Sequence, residues 1–521
     1  MKSETGMAAV ELAGGTFAVR LLIGIALSLL GAVLLTLSMP PYGIWPLALI
    51  GLVPTVLAQY RVMPRQLSSL AFAITIGGLV GFYIMKAFLQ LGNAPWYMKL
   101  LPFIFGAVVF LSDLRTRAFH EVTGYRWFVL SGALGWVGVE MIRSLIPVVG
   151  TWGFIAYAYF KQPWLIQPVS IFGIFGLGLV NMLVSLSLGQ LALAWFDRLW
   201  QLDPDIHPVD VVQARNWLIG TGIVFVAWTL LSLCLLSPTE QRSIRVAAIQ
   251  PDYKSFWTED EKAANIISME RYDYTYEQMF ERLVDQTRDA SRQGAELIVW
   301  PEGALNFDPQ HAPRTQFLRD LAAKSSAYLA IPYSVDDRNE VTILSPDGRF
   351  LGVYGKNHPV VFVDERSRTR GTYPTYSTDL GQIGTIICYD LDFTDTARQV
   401  ARNGATLIAV PSGDWPGIAD KHYAHLVFRA AENRVAMVKT DRSYDSAIID
   451  PRGRIVDSVV STSGEQATLV AEVPIINRNP LQRHLADWIG WLALAGMVFF
   501  AVLGPVLTRA VQKQPATKTA L

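Results

Sequence analysis

Cysteine is nearly absent from this sequence, because the 521 residues contain only Cys234 and Cys388. Cys234 lies inside the apolar run VFVAWTLLSLCLLS, where it would face lipid or neighbouring helices, so Cys388 has no plausible disulfide partner in the chain. A disulfide framework is therefore excluded, and any role of Cys388 is that of a free thiol. Most such cysteines are small buried hydrophobic residues, so a catalytic role needs further support.

Charge is also scarce. Charged residues make up 17% of the chain, hydrophobic residues make up 51%, and the formal net charge is zero. The lack of a basic excess gives no indication of nucleic-acid binding, and a mean hydropathy of +0.29 is too high for an ordinary soluble protein. Apolar runs fill residues 1–238, residues 240–480 have the composition of a soluble domain, and residues 481–521 hold a last apolar run and a short basic tail. We predict three parts divided at these positions.

The apolar runs are long enough to cross a membrane, which takes roughly 20 apolar residues per helix. The first run is too long for a cleaved signal peptide, lacks a convincing small-residue cleavage site and is followed by more spans. The sequence therefore predicts an α-helical polytopic membrane domain of seven spans, with an eighth after the soluble domain. The spans are expected near residues 20–38, 45–60, 67–90, 99–113, 127–147, 164–196, 216–237 and 486–508.

Lysine and arginine collect on alternate connections between the predicted spans, which sets the orientation because such residues favour the cytoplasmic side. The opposite connections, MPPYGIWP and GNAPWYMK, contain one lysine and no arginine. Both termini are therefore predicted to be cytoplasmic and the soluble domain extracytoplasmic, whereas a miscount of one span would reverse the side of the domain. The basic residues on the cytoplasmic side are Lys2, Arg20, Arg61, Arg65, Arg115, Arg117, Arg126, Arg198, Arg215, Arg509, Lys513 and Lys518.

One segment, LIPVVGTWGFIAYAYFKQPWLIQPVSIFGIFGLG, is too rich in Gly, Pro and aromatic residues for a plain span. It falls on the outer side in this topology. It could be an interfacial aromatic belt joined to a helix connection, or the ring-lined wall of a membrane-level cavity beneath the outer domain.

From residue 240 onward, short apolar runs alternate with polar helix-prone stretches. SIRVAAIQP, AELIVWPEG, AYLAIPYS, GQIGTIICYD, ATLIAVPSG and VAMVKT read as strands, and EVTILSPDGRFLGVYGK and SAIIDPRGRIVDSVV as hairpins. Alternation of this kind predicts an α/β domain, and purely apolar strands predict a sheet covered on both faces.

Three titratable residues stand where predicted strands end, which is where functional groups gather in such domains. They are Glu302 after LIVWP, Lys356 after FLGVYG and Cys388 after GTII. Together they could perform acyl transfer. A carboxylate in a dry pocket can take the thiol proton, while the Lys356 ammonium and the backbone N–H of Tyr389 can stabilise the oxyanion.

Each of these residues also has a simple structural explanation. Glu302 could cap or solvate a strand end, Lys356 could be an ordinary surface lysine, and Asp390 and Asp392 could be acids favoured by a helix dipole. Only the occurrence of all three groups in order, each at a strand end, favours catalysis.

WPEG, YGKNH and ICYD, in this order, resemble the Glu-Lys-Cys motifs of the nitrilase, or carbon–nitrogen hydrolase, superfamily. MPPYGIWPLALIGLVP and the aromatic segment GTWGFIAYAYFKQPWLIQPVSIFGIFGLGLVN resemble the membrane domain of the apolipoprotein N-acyltransferase family. With that family the resemblance spans nearly the whole chain. It implies an α/β nitrilase-like αββα sandwich at residues 240–480, carried by about eight membrane spans in the cell (inner) membrane.

The resemblance also implies an activity: transfer of a fatty acyl chain from a phospholipid to the N-terminal amine of an S-diacylglyceryl-cysteine lipoprotein. Glu302 would be the general base, Cys388 the nucleophile that becomes a thioester, and Lys356 the group that stabilises the tetrahedral intermediates. The partners would be the phospholipid donor, the diacylated lipoprotein and membrane lipids, with the protein acting as a monomer. No cofactor and no metal would be needed, in agreement with the lack of a phosphate-binding glycine loop or a His/Cys cluster in the sequence.

Some positions depart from the family pattern. NHPVVFVDERS follows the lysine, which places Asp364 where the family has a second glutamate, with Glu365 adjacent. Tyr389 and Asp390 follow the cysteine where the family has Tyr-Glu. Because an aspartate is one methylene shorter, a carboxylate that orients the lysine or the cysteine would be displaced by about an ångström.

Four further residues are candidates for substrate contact. Asp414 and Trp415 survive as a pair in VPSGDWPG, where the family is closer to SNDAWFG, and Phe256 and Trp257 could contact an acyl chain near the entrance. Two aromatic residues at the edge of an amphipathic loop are an equally ordinary explanation for the second pair.

Three alternatives remain open at this stage. A membrane-tethered amidase of the same fold would give the acyl group to water, and a divergent relative would use another amine. A degenerate domain would serve only as a scaffold, although retention of Glu302, Lys356 and Cys388 argues against that interpretation. Two lipid-borne substrates explain a platform of many spans, which a soluble amide would not need.

Overall fold

The computed structural model describes residues 16–85, 96–200, 207–236, 242–264, 272–361 and 365–512. Helical segments occupy all eight positions predicted for spans, although the third was expected to run to residue 90 and residues 86–90 lie outside the described parts. The predicted boundary between residues 238 and 240 also lies outside them. The helices before the soluble domain are α1 Phe17–Ser38, α2 Pro46–Ile50, α3 Val53–Leu57, α4 Leu70–Leu79, α5 Leu101–Asp113, α6 Thr116–Val122, α7 Phe128–Ser144, α8 Pro163–Ile166, α9 Val169–Leu199 and α10 Val211–Leu236.

Six helical stretches in the described residues are long and apolar enough to cross a membrane. The second predicted span is shorter, Pro46–Val62, because prolines open both α2 and α3 and interrupt the helix there. The fifth, α7, has 17 residues and carries Glu140 and Arg143 near its end. The six stretches are Phe17–Ser38, Arg65–Ile84, Trp96–Val122, Val169–Leu199, Val211–Leu236 and Trp488–Val506.

The soluble part folds as the predicted α/β domain with two six-stranded sheets. The first sheet has the order β12-β1-β2-β3-β4-β5 and the second β11-β10-β9-β8-β7-β6. Both predicted hairpins are present as the antiparallel pairs β4–β5 and β10–β11. The strands are β1 Ser243–Gln250, β2 Leu297–Val299, β3 Tyr328–Val335, β4 Arg338–Leu344, β5 Phe350–Gly355, β6 Thr375–Thr378, β7 Gly381–Thr385, β8 Leu407–Pro411, β9 Ala436–Thr440, β10 Asp445–Ile449, β11 Ile455–Val460 and β12 Ala467–Pro474.

Helices cover the outer face of each sheet, which gives the expected αββα sandwich. Ile244 and Val299 of the first sheet share one buried cluster with Ile383 and Val438 of the second, so this cluster is the layer between the sheets. Apolar strands such as β8 are buried at every position, as strands covered on both faces require. The remaining helices are α11 Glu259–Ala264, α12 Tyr272–Arg292, α13 Thr315–Ser325, α14 Thr394–Arg402, α15 Pro416–Asn433, α16 Gln482–Leu485 and α17 Trp488–Gln512.

The helices outside the second sheet share a continuous apolar core with the membrane part. Val400 of α14 and Phe428 of α15 belong to the same buried cluster as Phe154 and Phe175 of the membrane part. The joint has polar ties as well: Arg434 donates to the side chain and carbonyl of Gln167. The α/β domain is therefore seated directly on the membrane helices.

The first part of the aromatic segment, residues 145–168, lies at this joint. Phe154, Tyr157 and Phe160 are fully buried. The Tyr157 ring packs edge-on against Phe428, with centroids 5.2 Å apart, and Phe160 packs against Tyr423 at 5.4 Å. Because these rings fill the space beneath α15, they form neither a lipid-facing belt nor the wall of an open cavity.

The strand that leads to Cys388, β7, is so closely packed that a single added methyl group can test the packing. A Cβ added at Gly384 in β7 would lie 2.2 Å from Val400 Cγ1 and 3.1 Å from Ala405 Cβ. We expect Gly384→Ala to force β7 and α14 apart and to cost about 1–3 kcal/mol of stability, measured as a lower thermal midpoint in detergent. Gly222→Ala is the matched control, because nothing lies within 4 Å of the added methyl group there. Equal midpoints for the two variants would contradict this packing.

Candidate active site

The three predicted residues are positioned by strand ends that meet where the two sheets face each other. Glu302 follows β2 in the first sheet, and its backbone N–H donates to the Ser412 carbonyl at the end of β8 in the second, over 3.1 Å. Lys356 directly follows β5, and Cys388 stands three positions after the end of β7. All three are buried, with exposed fractions of 6% for Glu302, 1% for Lys356 and 6% for Cys388. Folding therefore brings together residues that are 86 positions apart in the chain.

Glu302 is held as a carboxylate by donors on one side chain oxygen. Lys356 Nζ lies 2.9 Å from Glu302 Oε1, and Asn339 Nδ2 donates to the same oxygen over 2.6 Å. Arg442 Nε donates to the Glu302 carbonyl over 2.6 Å. Although burial alone would raise the pKa of Glu302, the charges of Lys356 and Arg442 bring it below the ordinary value.

Lys356 is clamped between two carboxylates. Besides Glu302, it donates to both carboxylate oxygens of Glu365 over 2.9 Å. Burial opposes the charged form, but Glu302, Cys388 and Glu365 together raise the pKa of Lys356 well above its ordinary value. Glu365 is fixed in turn, because its Oε2 accepts the Val360 N–H over 2.7 Å. Glu365 is thus the second acid on the lysine, while Asp364 lies outside the described residues.

Cys388 begins a single turn of 3₁₀-helix, Cys388–Asp392, in a left-handed backbone conformation with φ of 45°. Such a conformation costs on the order of 1–3 kcal/mol in a residue other than glycine, and surrounding contacts must hold it in place. Burial and then the charge of Glu302 raise the pKa of the thiol well above its ordinary value. The Lys356 ammonium acts in the opposite direction, because its positive charge lowers the pKa of the thiol.

The two residues after Cys388 anchor this turn. For Asp390 this differs from the sequence-based expectation of a carboxylate that orients the lysine or the cysteine. Among the described residues, Asp390 forms no hydrogen bond with Lys356 or with the Cys388 sulfur. It accepts from the Tyr354 hydroxyl over 2.6 Å, the Ile387 N–H over 2.9 Å and the His358 N–H over 2.8 Å. Burial raises its pKa to about 6. Tyr389 donates its hydroxyl to the Pro147 carbonyl over 3.2 Å, and a role of its N–H at an oxyanion stays a prediction.

Behind the sulfur lies a network of buried charges that the sequence did not reveal. The Cys388 thiol donates to Asp414 Oδ1 over 3.5 Å, and Asp414 Oδ2 lies 2.7 Å from His422 Nδ1 and 2.9 Å from Lys439 Nζ. Burial favours a neutral imidazole, yet the carboxylates of Asp414 and Asp392 raise the pKa of His422 to about 9. A lysine inside the apolar strand VAMVKT, and histidines three residues apart on α15, were the signals available in the sequence.

The His and Asp side chains in this network could be considered as metal ligands. Asp392, His422 and His425 present donor atoms within 4.8 Å of one another. However, Asp392 Oδ1 lies 2.6 Å from His425 Nδ1, whereas two ligands of a tetrahedral zinc ion stand about 3.3 Å apart. Around Asp414 the Lys439 ammonium already lies 2.6 Å from Asp445 Oδ1, between the two acids. The first spacing is too short for two ligands of one zinc ion, and in the second place the ammonium takes the position between the acids.

The predicted substrate-contacting residues fall in different places. Asp414 is adjacent to the sulfur, and Trp415 is the residue before α15. Trp257 packs against Tyr253, with ring centroids 5.5 Å apart. The Phe256 ring lies 4.0 Å from the Arg282 guanidinium carbon, in a shallow depression lined by α12. A contact of Phe256 or Trp257 with an acyl chain stays a prediction.

Two known protein families match this chain over consecutive parts. Residues 31–187 match the apolipoprotein N-acyltransferase N-terminal domain, and residues 245–477 match the carbon–nitrogen hydrolase family. The first match falls on the membrane helices and the second on the α/β domain that holds Glu302, Lys356 and Cys388.

Similar proteins extend over nearly the full length. The chain is 27% identical to an apolipoprotein N-acyltransferase of Geobacter metallireducens, with 92% of this chain and 94% of that protein covered. It is 24% identical to that of Thermotoga maritima, with 84% and 86% covered. Among solved structures, an amidase from Nesterenkonia sp. aligns with a TM-score of 0.35 and 20% identity, covering 49% of this chain and 97% of its own. With both domain matches in order and full-length relatives of one kind, the chain is similar to the apolipoprotein N-acyltransferase family over nearly its whole length.

Proposed function

We propose that this protein is a membrane-bound N-acyltransferase that moves a fatty acyl chain from a phospholipid to the N-terminal amine of an S-diacylglyceryl-cysteine lipoprotein. The observation that carries the proposal is the buried pair of Lys356 Nζ and Glu302 Oε1, 2.9 Å apart, whose charges both act on the Cys388 thiol. The α/β domain packs on helices that are long and apolar enough to span a membrane, which suits two substrates that reside in the membrane. The names of the full-length relatives support the same activity.

In the first half-reaction, the sulfur of Cys388 attacks the ester carbonyl of the phospholipid. Burial disfavours the thiolate by raising the pKa of the thiol, so Glu302 accepts the thiol proton as the C–S bond forms. The carbonyl oxygen becomes an oxyanion beside the Lys356 ammonium. Collapse of this intermediate breaks the ester C–O bond, and the departing lysophospholipid oxygen takes the proton from Glu302. Cys388 is left as a thioester.

In the second half-reaction, the lipoprotein amine attacks the thioester carbonyl. Glu302 accepts the amine proton and passes it to the departing sulfur as the C–S bond breaks, which restores the thiol and forms an amide. Water in place of the amine would make the protein a membrane-tethered hydrolase. The seat of the domain on helices long and apolar enough to span a membrane favours a lipid-borne amine as acceptor.

The orientation that fits this function puts the catalytic domain on the extracytoplasmic side and both termini in the cytoplasm. Arginines collect at the end of the helix bundle opposite the α/β domain: Arg20 donates to the Val62 carbonyl, and Arg61 pairs with Asp197 near the end of α9. Such a charge distribution is typical of the cytoplasmic side. The domain contacts the other end, at the aromatic segment and the start of α9.

Acyl-enzyme formation is the first test. Purified protein incubated with phospholipid is expected to gain one fatty-acyl mass on the peptide containing Cys388, removable by hydroxylamine. Cys388→Ala should abolish the adduct. Cys234→Ser should leave the adduct unchanged, because Cys234 is exposed on α10, outside the α/β domain. Full transfer to a diacylated lipopeptide by Cys388→Ala would overturn the mechanism. Adding candidate amines to the acyl-enzyme, with water alone as the comparison, identifies the acceptor from the product that forms.

The pH dependence of acylation tests the roles of Glu302 and Lys356. The base must be ionised, and its pKa lies below the ordinary value, so the rate should fall only below about pH 4.5 on account of Glu302. Lys356→Met removes the charge that lowers the pKa of Glu302 most, so the acid limb of the pH profile should move to higher pH. The same variant should lower the rate about 10²–10³-fold, because the oxyanion loses its cation. Glu302→Gln should lower the rate about 10²–10⁴-fold. An acid limb unchanged in Lys356→Met would contradict the assignment.

Single-cysteine labelling tests the orientation. In a Cys234→Ser, Cys388→Ala background, Ser458→Cys on β11 should react with a membrane-impermeant maleimide added to intact cells or spheroplasts, since it is exposed on the α/β domain. Asp210→Cys, exposed at the opposite end before α10, should react only after the membrane is permeabilised. The reverse pattern would place the domain in the cytoplasm.

A further inference from the structure

The turn that carries Cys388 is bound on its far side by the membrane part. Thr151 donates to the Asp392 carbonyl twice, through its backbone N–H and through Oγ1, each over 2.9 Å. Trp152 Nε1 donates to Asp392 Oδ2 over 2.7 Å. Together with the Tyr389 hydroxyl on the Pro147 carbonyl, four hydrogen bonds join this one short turn to the loop after α7.

The approach of the two backbones is closer than a side chain would allow. Gly150 has φ of 51°, and a Cβ added there would lie 2.7 Å from the Asp392 carbonyl oxygen. Glycine is therefore required at this position both by backbone conformation and by space. The loop is fitted to the turn by its backbone as well as by its side chains.

Asp392 in turn links the loop to the charges behind the sulfur. Its Oδ1 lies 2.6 Å from His425 Nδ1 and 3.4 Å from His422 Nε2. His422 reaches Asp414, which accepts the Cys388 thiol. The His425 ring is stacked on Tyr157 of the membrane part, with centroids 4.3 Å apart and planes within 6°. A continuous line of buried contacts thus runs from the membrane part to the nucleophile by a second route.

We propose that Thr151 and Trp152 are positioning residues for Cys388, which fix Asp392 and so hold the strained turn in the geometry needed for acyl transfer. The left-handed conformation of Cys388 persists only while its surroundings hold it, and four of the hydrogen bonds of its turn are made with the membrane part. On this proposal the membrane part helps to build the catalytic centre. This inference rests on the proposed acylation of Cys388.

The experiment compares two acyl donors in the purified full-length protein: a phospholipid in micelles and a water-soluble p-nitrophenyl ester. Trp152→Phe keeps a ring but removes the donor to Asp392, and Thr151→Val keeps the shape but removes the hydroxyl. Each is expected to lower kcat/KM for Cys388 acylation about tenfold or more with both donors, because a small displacement of the sulfur affects every substrate. The phospholipid KM should not change. Thr151→Ser should recover most of the rate lost in Thr151→Val.

Trp164→Phe is the matched control, because this tryptophan lies in the same aromatic segment and donates to Gln162 instead. It should match wild type with both donors. A double-mutant cycle separates positioning from simple destabilisation: Trp152→Phe added to Asp392→Asn should cost no further rate, since the tryptophan acts through Asp392.

Three outcomes would overturn the inference: wild-type rates in both loop variants, a defect confined to the phospholipid KM, or fully additive effects with Asp392→Asn. The second of these would make the loop a lipid contact. If the wild-type protein fails to form a Cys388 adduct with either donor, the proposed function itself is wrong, which is a distinct result.

Discussion

A single buried ammonium organises the candidate active site. Lys356 is enclosed by Glu302 and Glu365, and its charge is the largest contribution that lowers the pKa of the buried Glu302 carboxyl against the effect of burial. The same charge lowers the pKa of the Cys388 thiol, so in the proposed mechanism a proton passed from Cys388 to Glu302 leaves a thiolate near a cation that is already in place. Because the lysine is fixed before substrate arrives, it can stabilise developing negative charge without reorganisation.

Much of this centre could be predicted from the sequence, because its main residues stand at strand ends and the strands are visible as apolar runs. Glu302, Lys356 and Cys388 were found in this way, together with the α/β fold and its hairpins. The network behind the sulfur could not be found, since its pairings join distant segments: Thr151 and Asp392 are 241 positions apart. A local argument from the helix dipole explained Asp392 adequately and therefore concealed its contacts with His422 and His425.

The departures from the family pattern have a structural explanation. Glu365, next to the expected position, supplies the second carboxylate to Lys356 with both oxygens. Asp390 does not need the reach of a glutamate, because its three donors come from Tyr354, Ile387 and His358 close by. The lysine and the turn are each held by short contacts, so the acyl-transfer core is compatible with these changes.

The apolar cluster that runs from Val400 and Phe428 into Phe154 and Phe175 gives the two family-matched halves one common interior. Such halves cannot be exchanged freely between relatives, because the grafted surface must match in shape as well as in composition. Sequence drift on one side of the joint must be accommodated on the other. Inheritance of the two halves as a single polypeptide is the simplest way for a lineage to keep both sides compatible.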